Sequence, residues 1–335
     1  MYERFYGFRE RPFDLTPNPR YLILTEAHRE ALSNLEYAIS SRKGVTLLVG
    51  EAGAGKTTVI RAALEKQPEQ VHYVHLSNPA LTRDEFVEML AVRFELSEKA
   101  RLSKTALLIE LEQLLIERRR RNETSVLVVD EGQSLSHELL EELRLLVNIE
   151  TNDEKLLSLI LAGQPELAEH LNHPSLRQLK QRIALRCELR PLTLQEAVAY
   201  VAGRIRAAGG TASQVFTREA VTLMHERSKG VPRTLSVLAD NALVAGFGGG
   251  QRPVGTSIVR DVCRDFDLSE GQDGPLTSAP AFPSGGPAAA RPRERKVLGL
   301  EKDTTSEIED ATAEDSPRSL FSGFGKRGRF SFFGR

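Results

Sequence analysis

A chain of 335 residues with 45 Lys+Arg against 46 Asp+Glu has room for about two domains. It carries no net charge that would by itself recruit nucleic acid or an anionic membrane. Its 40% hydrophobic and 27% charged content is that of a soluble globular protein. Two distant cysteines, Cys187 and Cys263, with no CxxC, HxH or HExxH spacing, leave no case for a disulfide framework or a dedicated zinc site.

The chain opens on "MYERFYGFRERPFDLTPNP", charges interleaved with aromatics, without the apolar centre of a signal peptide. No apolar run approaches the roughly 20 residues that cross a membrane as a helix, so the expected location is cytoplasmic. Residues 27–40 place Ala31, Leu35, Ala38 and Ile39 at helical spacing. "GVTLLVG" (44–50) is short and rich in branched residues, which predicts a buried strand. "VHYVHL" (71–76) is a second strand. In "LTRDEFVEMLAVRF", Thr82 and Glu85 form a capping box ahead of a helix. Residues 105–121 form a strongly periodic helix ending in four arginines, Arg118 to Arg121. That run is a phosphate-binding patch or a solvated helix end complementing the helix dipole, and the second is preferred.

"SVLVVDE" (125–131) is a third strand with acids at its end, followed by the helix "HELLEELRLLVNIE", a fourth strand in "KLLSLILAGQ" and a fifth in "RIALRCELRPL". Strands alternating with helices predict an α/β fold, a parallel sheet with helices on both faces. After Pro191 only helices follow, beginning with a second capping box, Thr193 and Glu196. From about residue 269 the composition turns to Pro, Gly, Ser and Ala, then to an acidic stretch, a tail expected to be disordered. Four regions result: an N-terminal segment (1–43) expected against the nucleotide site, a core (44–191), a small all-α domain (192–268) and the tail (269–335).

The chemistry lies at two strand ends. Gly50, Gly55, Lys56 and Thr57 satisfy GxxxxGK[ST] between a predicted strand and a predicted helix. Backbone from Gly50 through Glu51, Ala52, Gly53, Ala54 and Gly55 to Lys56, Thr57 and Thr58 is therefore expected to wrap a nucleotide's phosphates. Lys56 would reach the β- and γ-phosphates, and the Thr57 hydroxyl would ligate Mg²⁺. Asp130 would hold the same ion, and Glu131 would orient or deprotonate the attacking water.

With both motifs placed, the chain resembles the AAA+ ATPases, and more narrowly the ExeA/GspA group of secretion-pathway ATPases. The resemblance runs over roughly residues 1 to 265. It rests on the opening segment and on "GEAGAGKTT", "VLVVDEGQSL", "LAGQPEL", "LKQRI" and "GVPR". It implies ATP and Mg²⁺, a P-loop NTPase core and a helical lid. It also implies Gln164 as the first sensor, Arg233 as the second sensor on the lid, and Arg182 as the arginine finger entering a neighbouring subunit, with Arg177 its rival. Adenine is expected against the N-terminal segment, with Phe13 and Pro17 as candidates. Lys56, Glu131, Gln164, Arg182 and Arg233 form the expected catalytic set.

The partners implied are further copies of the chain and components of a secretion or pilus-type envelope system. Secretion-type relatives continue into a membrane-spanning segment and a peptidoglycan-binding region. Neither is read here, so contact with the cell wall is not expected. Residues 318–335, basic and aromatic, are either a docking motif for a membrane surface, peripheral to the inner membrane, or for a protein groove, or else a tail without a partner. The alternative function is a nucleic-acid-binding ATPase of the transposition-helper type. It draws on Arg118–Arg121 and on the basic residues between Arg177 and Arg186, and it ranks second because net charge is near zero.

Overall fold

The computed structural model describes residues 1–14, 25–77 and 81–268. The expectations placed on Pro17 and on the tail fall outside that set. Among the described residues, no helix is long and apolar enough to cross a membrane.

In chain order, α1 (Tyr2–Tyr6) and α2 (Glu26–Ser40) precede β1 (Val45–Gly50) and α3 (Lys56–Glu65). Then come β2 (Val71–Leu76), α4 (Arg83–Arg93), α5 (Glu98–Leu102), α6 (Lys104–Arg120) and β3 (Thr124–Val129). These are followed by α7 (His137–Val147), β4 (Leu157–Gly163), α8 (Pro165–His170), α9 (Arg177–Lys180) and β5 (Ile183–Leu189). The remainder is helical: α10 (Leu194–Ala207), α11 (Ala212–Val215), α12 (Arg218–Ser228), α13 (Pro232–Gly248) and α14 (Thr256–Asp265).

The five strands form one parallel sheet in the order β2-β3-β4-β1-β5. Every residue of β1 and β4 is buried, because helices cover both faces and no side of a central strand meets water. The two-residue period divides the strands between two cores. Leu47, Val49, Leu127, Val129, Leu159 and Leu161 pack with the leucines of α6 and α7. Leu48, Val126, Val128, Ile160 and Ala162 pack with α2 and α3. Since β1 is followed in sequence by β2 at the far edge, the connections part above its C-terminal end. That is where ligands bind in open α/β sheets.

Both expected capping boxes form. Thr82 and Thr193 each accept from the backbone N–H three residues on, and Glu85 and Glu196 reach back to the cap N–H groups at 2.8 and 2.9 Å. The arginine run closes α6, with Arg118 and Arg119 half-buried and Arg120 and Arg121 exposed. Arg118 donates to Ser125 Oγ at 3.3 Å, Arg119 pairs with Glu154, and Arg121 pairs with Glu117 one turn back.

A third core gathers the helical domain around Leu235, Leu238, Leu243 and Met224, and it includes Tyr2, Tyr6, Phe8 and Phe13. Residues 1–14 therefore complete the helical domain, whereas α2 lies on the sheet. The cause is local. The first fourteen residues have few regular hydrogen bonds of their own, so buried Arg204 supplies donors to the Pro12 and Asp14 carbonyls at 2.6 and 2.8 Å. Satisfied in this way, an irregular backbone can be buried. Phe13 is 1% exposed there, beside Phe216 and the Arg204 guanidinium.

Candidate functional site

β1 ends on Gly50, and α3 starts on Lys56. The five residues between turn back sharply, with Gly53 at φ 80 and Gly55 at φ 99, conformations that side chains with a Cβ rarely adopt. Lys56 is buried at 4% exposure. Its ammonium donates to the Gly50 and Glu51 carbonyls at 2.8 and 3.1 Å. Burial pushes its pKa down, and the carboxylates of Glu131, Asp130, Glu51 and Glu166 work against that shift. The loop thus keeps a cation at its centre, held by weak neutral acceptors that an anion can replace.

β3 ends beside this loop. Asp130, 3% exposed, accepts from the Thr57 hydroxyl at 2.6 Å through Oδ2 and from the Glu131 N–H at 3.0 Å through Oδ1. Its own N–H donates to Leu76 O at 2.9 Å. The phosphate-type loop and the paired acids therefore share one edge of the sheet and touch through side chains. A hydroxyl and a carboxylate converging at that distance suit a hard cation that prefers oxygen ligands.

Glu131 has φ 55, a left-handed conformation that costs a non-glycine residue about 1–2 kcal/mol. Three hydrogen bonds hold it: Glu131 N–H to Asp130 Oδ1, and Ser134 N–H and hydroxyl to Glu131 O at 2.9 and 2.7 Å. At about 1 kcal/mol each they offset the strain. The Glu131 carboxylate accepts from Gln133 Nε2 at 2.7 Å, and Gln133 Oε1 accepts from the Gln164 N–H at 3.0 Å. Gln164 caps α8 at the end of β4 and so comes to the acids through its backbone.

Two further elements close on the loop. Arg233, in the first turn of α13, donates its N–H to Gly53 O at 3.2 Å. A Cβ built on Gly53 would fall 2.4 Å from Arg233 Cβ. From α2, His28 is buried, with Nε2 at 3.0 Å from Ala54 O and Nδ1 at 2.6 Å from Thr25 Oγ1. A carbonyl only accepts, so the Nε2–H tautomer fits and Thr25 donates to Nδ1. Burial, opposed by the bond to Ala54 and by Glu196, pushes this histidine's pKa down. His28 does not stand out in the sequence, and Gln133 appears there only within "VLVVDEGQSL", which gives it no role of its own. Each belongs to no spacing pattern, and each acquires its partner only when separate elements meet.

Neither Arg182, expected to act in trans, nor its rival Arg177 joins this cluster. Arg182 immediately precedes β5, whose first residue pairs with Val45 at the start of β1. It therefore lies at the opposite edge of the sheet, roughly 17 Å of strand away from Gly50. Its Nε is buried with no hydrogen-bond partner among the described residues, and Arg177 is exposed on α9.

Residues 39–171 match the model of a family described as AAA domain. General secretion pathway protein A of Aeromonas hydrophila is 39% identical over 254 residues, which is 76% of this chain and 46% of that protein. The chain thus spans less than half the length of that relative. Among solved structures, the ORC2 protein of Aeropyrum pernix, in ADPNP and ADP complexes, superposes with a TM-score of 0.57 at 19% identity, covering 77% of this chain and 72% of that one. Drosophila ORC bound to DNA superposes with a TM-score of 0.56 at 16% identity, covering 78% and 67%. At such identities these likenesses concern the fold.

Proposed function

The chain belongs to the AAA+ ATPases of the general secretion pathway protein A group, and from that premise we propose that it hydrolyses ATP with Mg²⁺ and couples turnover to assembling or regulating a secretion or pilus-type envelope system. The observation that carries the proposal is the contact of Thr57 with Asp130 at 2.6 Å, beside Lys56 and Glu131. A nucleotide-binding core follows from the family. Hydrolysis needs a group that orients water and takes its proton near the phosphates, and the Glu131 carboxylate supplies one.

In this proposal Lys56 exchanges its two carbonyl partners for phosphate oxygens, and Thr57 and Asp130 hold the metal. Magnesium supplies charge neutralisation on the phosphates when bound. Glu131 orients the attacking water and accepts its proton. Gln164 stands at the β4 end as first sensor. Arg233 comes from the helical domain in cis, so that α13 responds to the γ-phosphate through its contact with Gly53. Arg182, remote from its own loop, acts in the site of a second copy, which makes a homo-oligomer the working form. The alternative built on nucleic acid stays second, a ranking supported by the partners that Arg118, Arg119 and Arg121 have within the chain. The relative named for the general secretion pathway supports envelope components as partners, reached from the cytoplasmic side of an inner membrane.

Steady-state turnover with Mg-ATP tests the reading. Wild type should hydrolyse ATP, and Glu131→Gln should lose about 10²-fold or more in kcat while still binding it. Equal turnover in the two proteins removes the assigned role.

A further inference from the structure

We propose that Gln133 is a positioning residue that ties the Glu131 carboxylate to the end of β4, so that the acid and the segment bearing Gln164 keep one fixed relation. The inference rests on the hydrolytic reading above and goes beyond it by giving a role to a residue to which that reading assigns none.

The amide has two chemically different ends, and its surroundings distinguish them. The Gln164 N–H can only donate, so Oε1 faces it at 3.0 Å. The ionised Glu131 carboxylate can only accept, so Nε2 faces it at 2.7 Å. Flipping the amide would set donor against donor and acceptor against acceptor, so the partners fix its orientation. Among the described residues, Gln133 is the only side chain that hydrogen-bonds the Glu131 carboxylate. The donor occupies Oε2.

The backbone is shaped to seat this bridge. A Cβ built on Gly163, the last residue of β4, would lie 2.9 Å from Gln133 Oε1 and 2.6 Å from Leu167 Cδ2. One on Gly132 would lie 2.9 Å from Leu161 Cδ1 and 3.1 Å from Ala162 O. The turn after Glu131 therefore lies flat on β4, and a slot bounded by Gly163 holds the amide between the two strand ends. Without the bridge, Glu131 regains its rotamers, and the direction from which it approaches water is no longer set by β4. Misplacing a reacting group by about 1 Å lowers turnover by about 10²-fold.

Three variants of the full chain separate the contributions. Gln133→Met keeps length and volume and removes both bonds. Gln133→Glu keeps an acceptor for the Gln164 N–H and sets carboxylate against carboxylate. The third combines Gln133→Met with Glu131→Gln. With Mg-ATP, both single variants should lose about tenfold or more in kcat, with ATP affinity and KM held within about twofold. The combined variant should be no slower than Glu131→Gln alone, because Gln133 acts through Glu131.

Full turnover in Gln133→Met overturns the tie while leaving hydrolysis in place. So does a kcat loss matched by lost ATP affinity, or an additive loss in the combined variant. A wild-type chain that fails to hydrolyse ATP removes the hydrolytic reading, and the tie with it.

Discussion

Single side chains at the loop illustrate how burial and partners set charge. Lys56 stays buried because two carbonyls accept hydrogen bonds from its ammonium and four carboxylates lie within electrostatic reach. Thr57 is the smaller residue with the sharper consequence. Its hydroxyl is the donor to a carboxylate only 3% exposed, and a buried acceptor without a donor costs about 1–3 kcal/mol. Thr57→Val, nearly the same volume, should lower the melting temperature of the free chain and weaken Mg-dependent nucleotide binding, both read by thermal melts with and without Mg²⁺.

His28 predicts a pH effect of definite sign. Its pKa in the folded chain lies below 6.5, so the unfolded state takes up the proton first. The stability it contributes is complete above about pH 6.5 and is lost as pH falls toward the folded value. His75 has a lowered pKa as well, from burial against the pull of Asp130, and titrates in the same sense. Wild type should lose stability between pH 7 and 5. His28→Gln, which can still donate to Ala54 O, should lose measurably less over that interval in denaturant titrations.

Elements meet the loop from two sides, and both contacts end on its backbone carbonyls, Gly53 O and Ala54 O. The N-terminal turn of α13 lies on Gly53, with Pro232 at its first position, where a missing N–H is harmless. Gly53→Ala adds a Cβ 2.4 Å from Arg233 Cβ at a position with φ 80. It should push α13 away, costing about 1 kcal/mol or more and lowering ATP affinity about tenfold. Calorimetric titration and melting curves read the two effects separately. If affinity is unchanged, α13 does not report on the loop. The capping box at α10 is a control of ordinary magnitude: Thr193→Ala should cost about 1 kcal/mol of stability with ATP affinity intact.

At the scale of the molecule, the sheet puts its chemistry on one edge and leaves Arg182 on the other. One chain cannot bring the two together, since a strand is stiff and about 17 Å long over this span. A second copy can. Arg182→Ala and Glu131→Gln should each be inactive alone, yet recover part of the wild-type rate when mixed. The intact loop of one protein and the intact arginine of the other then form a complete site. Absence of recovery, with Arg182→Ala active as a monomer, removes the shared site.

Much of this was legible in the sequence. The strands of the sheet, the glycine loop before Lys56, the acids after β3 and both capping boxes are written in short-range patterns. Apolar runs, glycines at tight turns and Thr-x-x-Glu depend on neighbours a few residues away. The meeting of Thr57 with Asp130 follows for a different reason: parallel strands joined by right-handed crossovers deliver their C-terminal ends to one edge. Only the tertiary structure decided that Tyr2, Tyr6, Phe8 and Phe13 complete the helical core, that His28 braces Ala54 and that Gln133 joins Glu131 to Gln164. These contacts depend on which donor ends up facing which acceptor once separate elements pack. A histidine in a first helical turn, or a glutamine two residues past an acid, carries no periodicity from which that partner could be read.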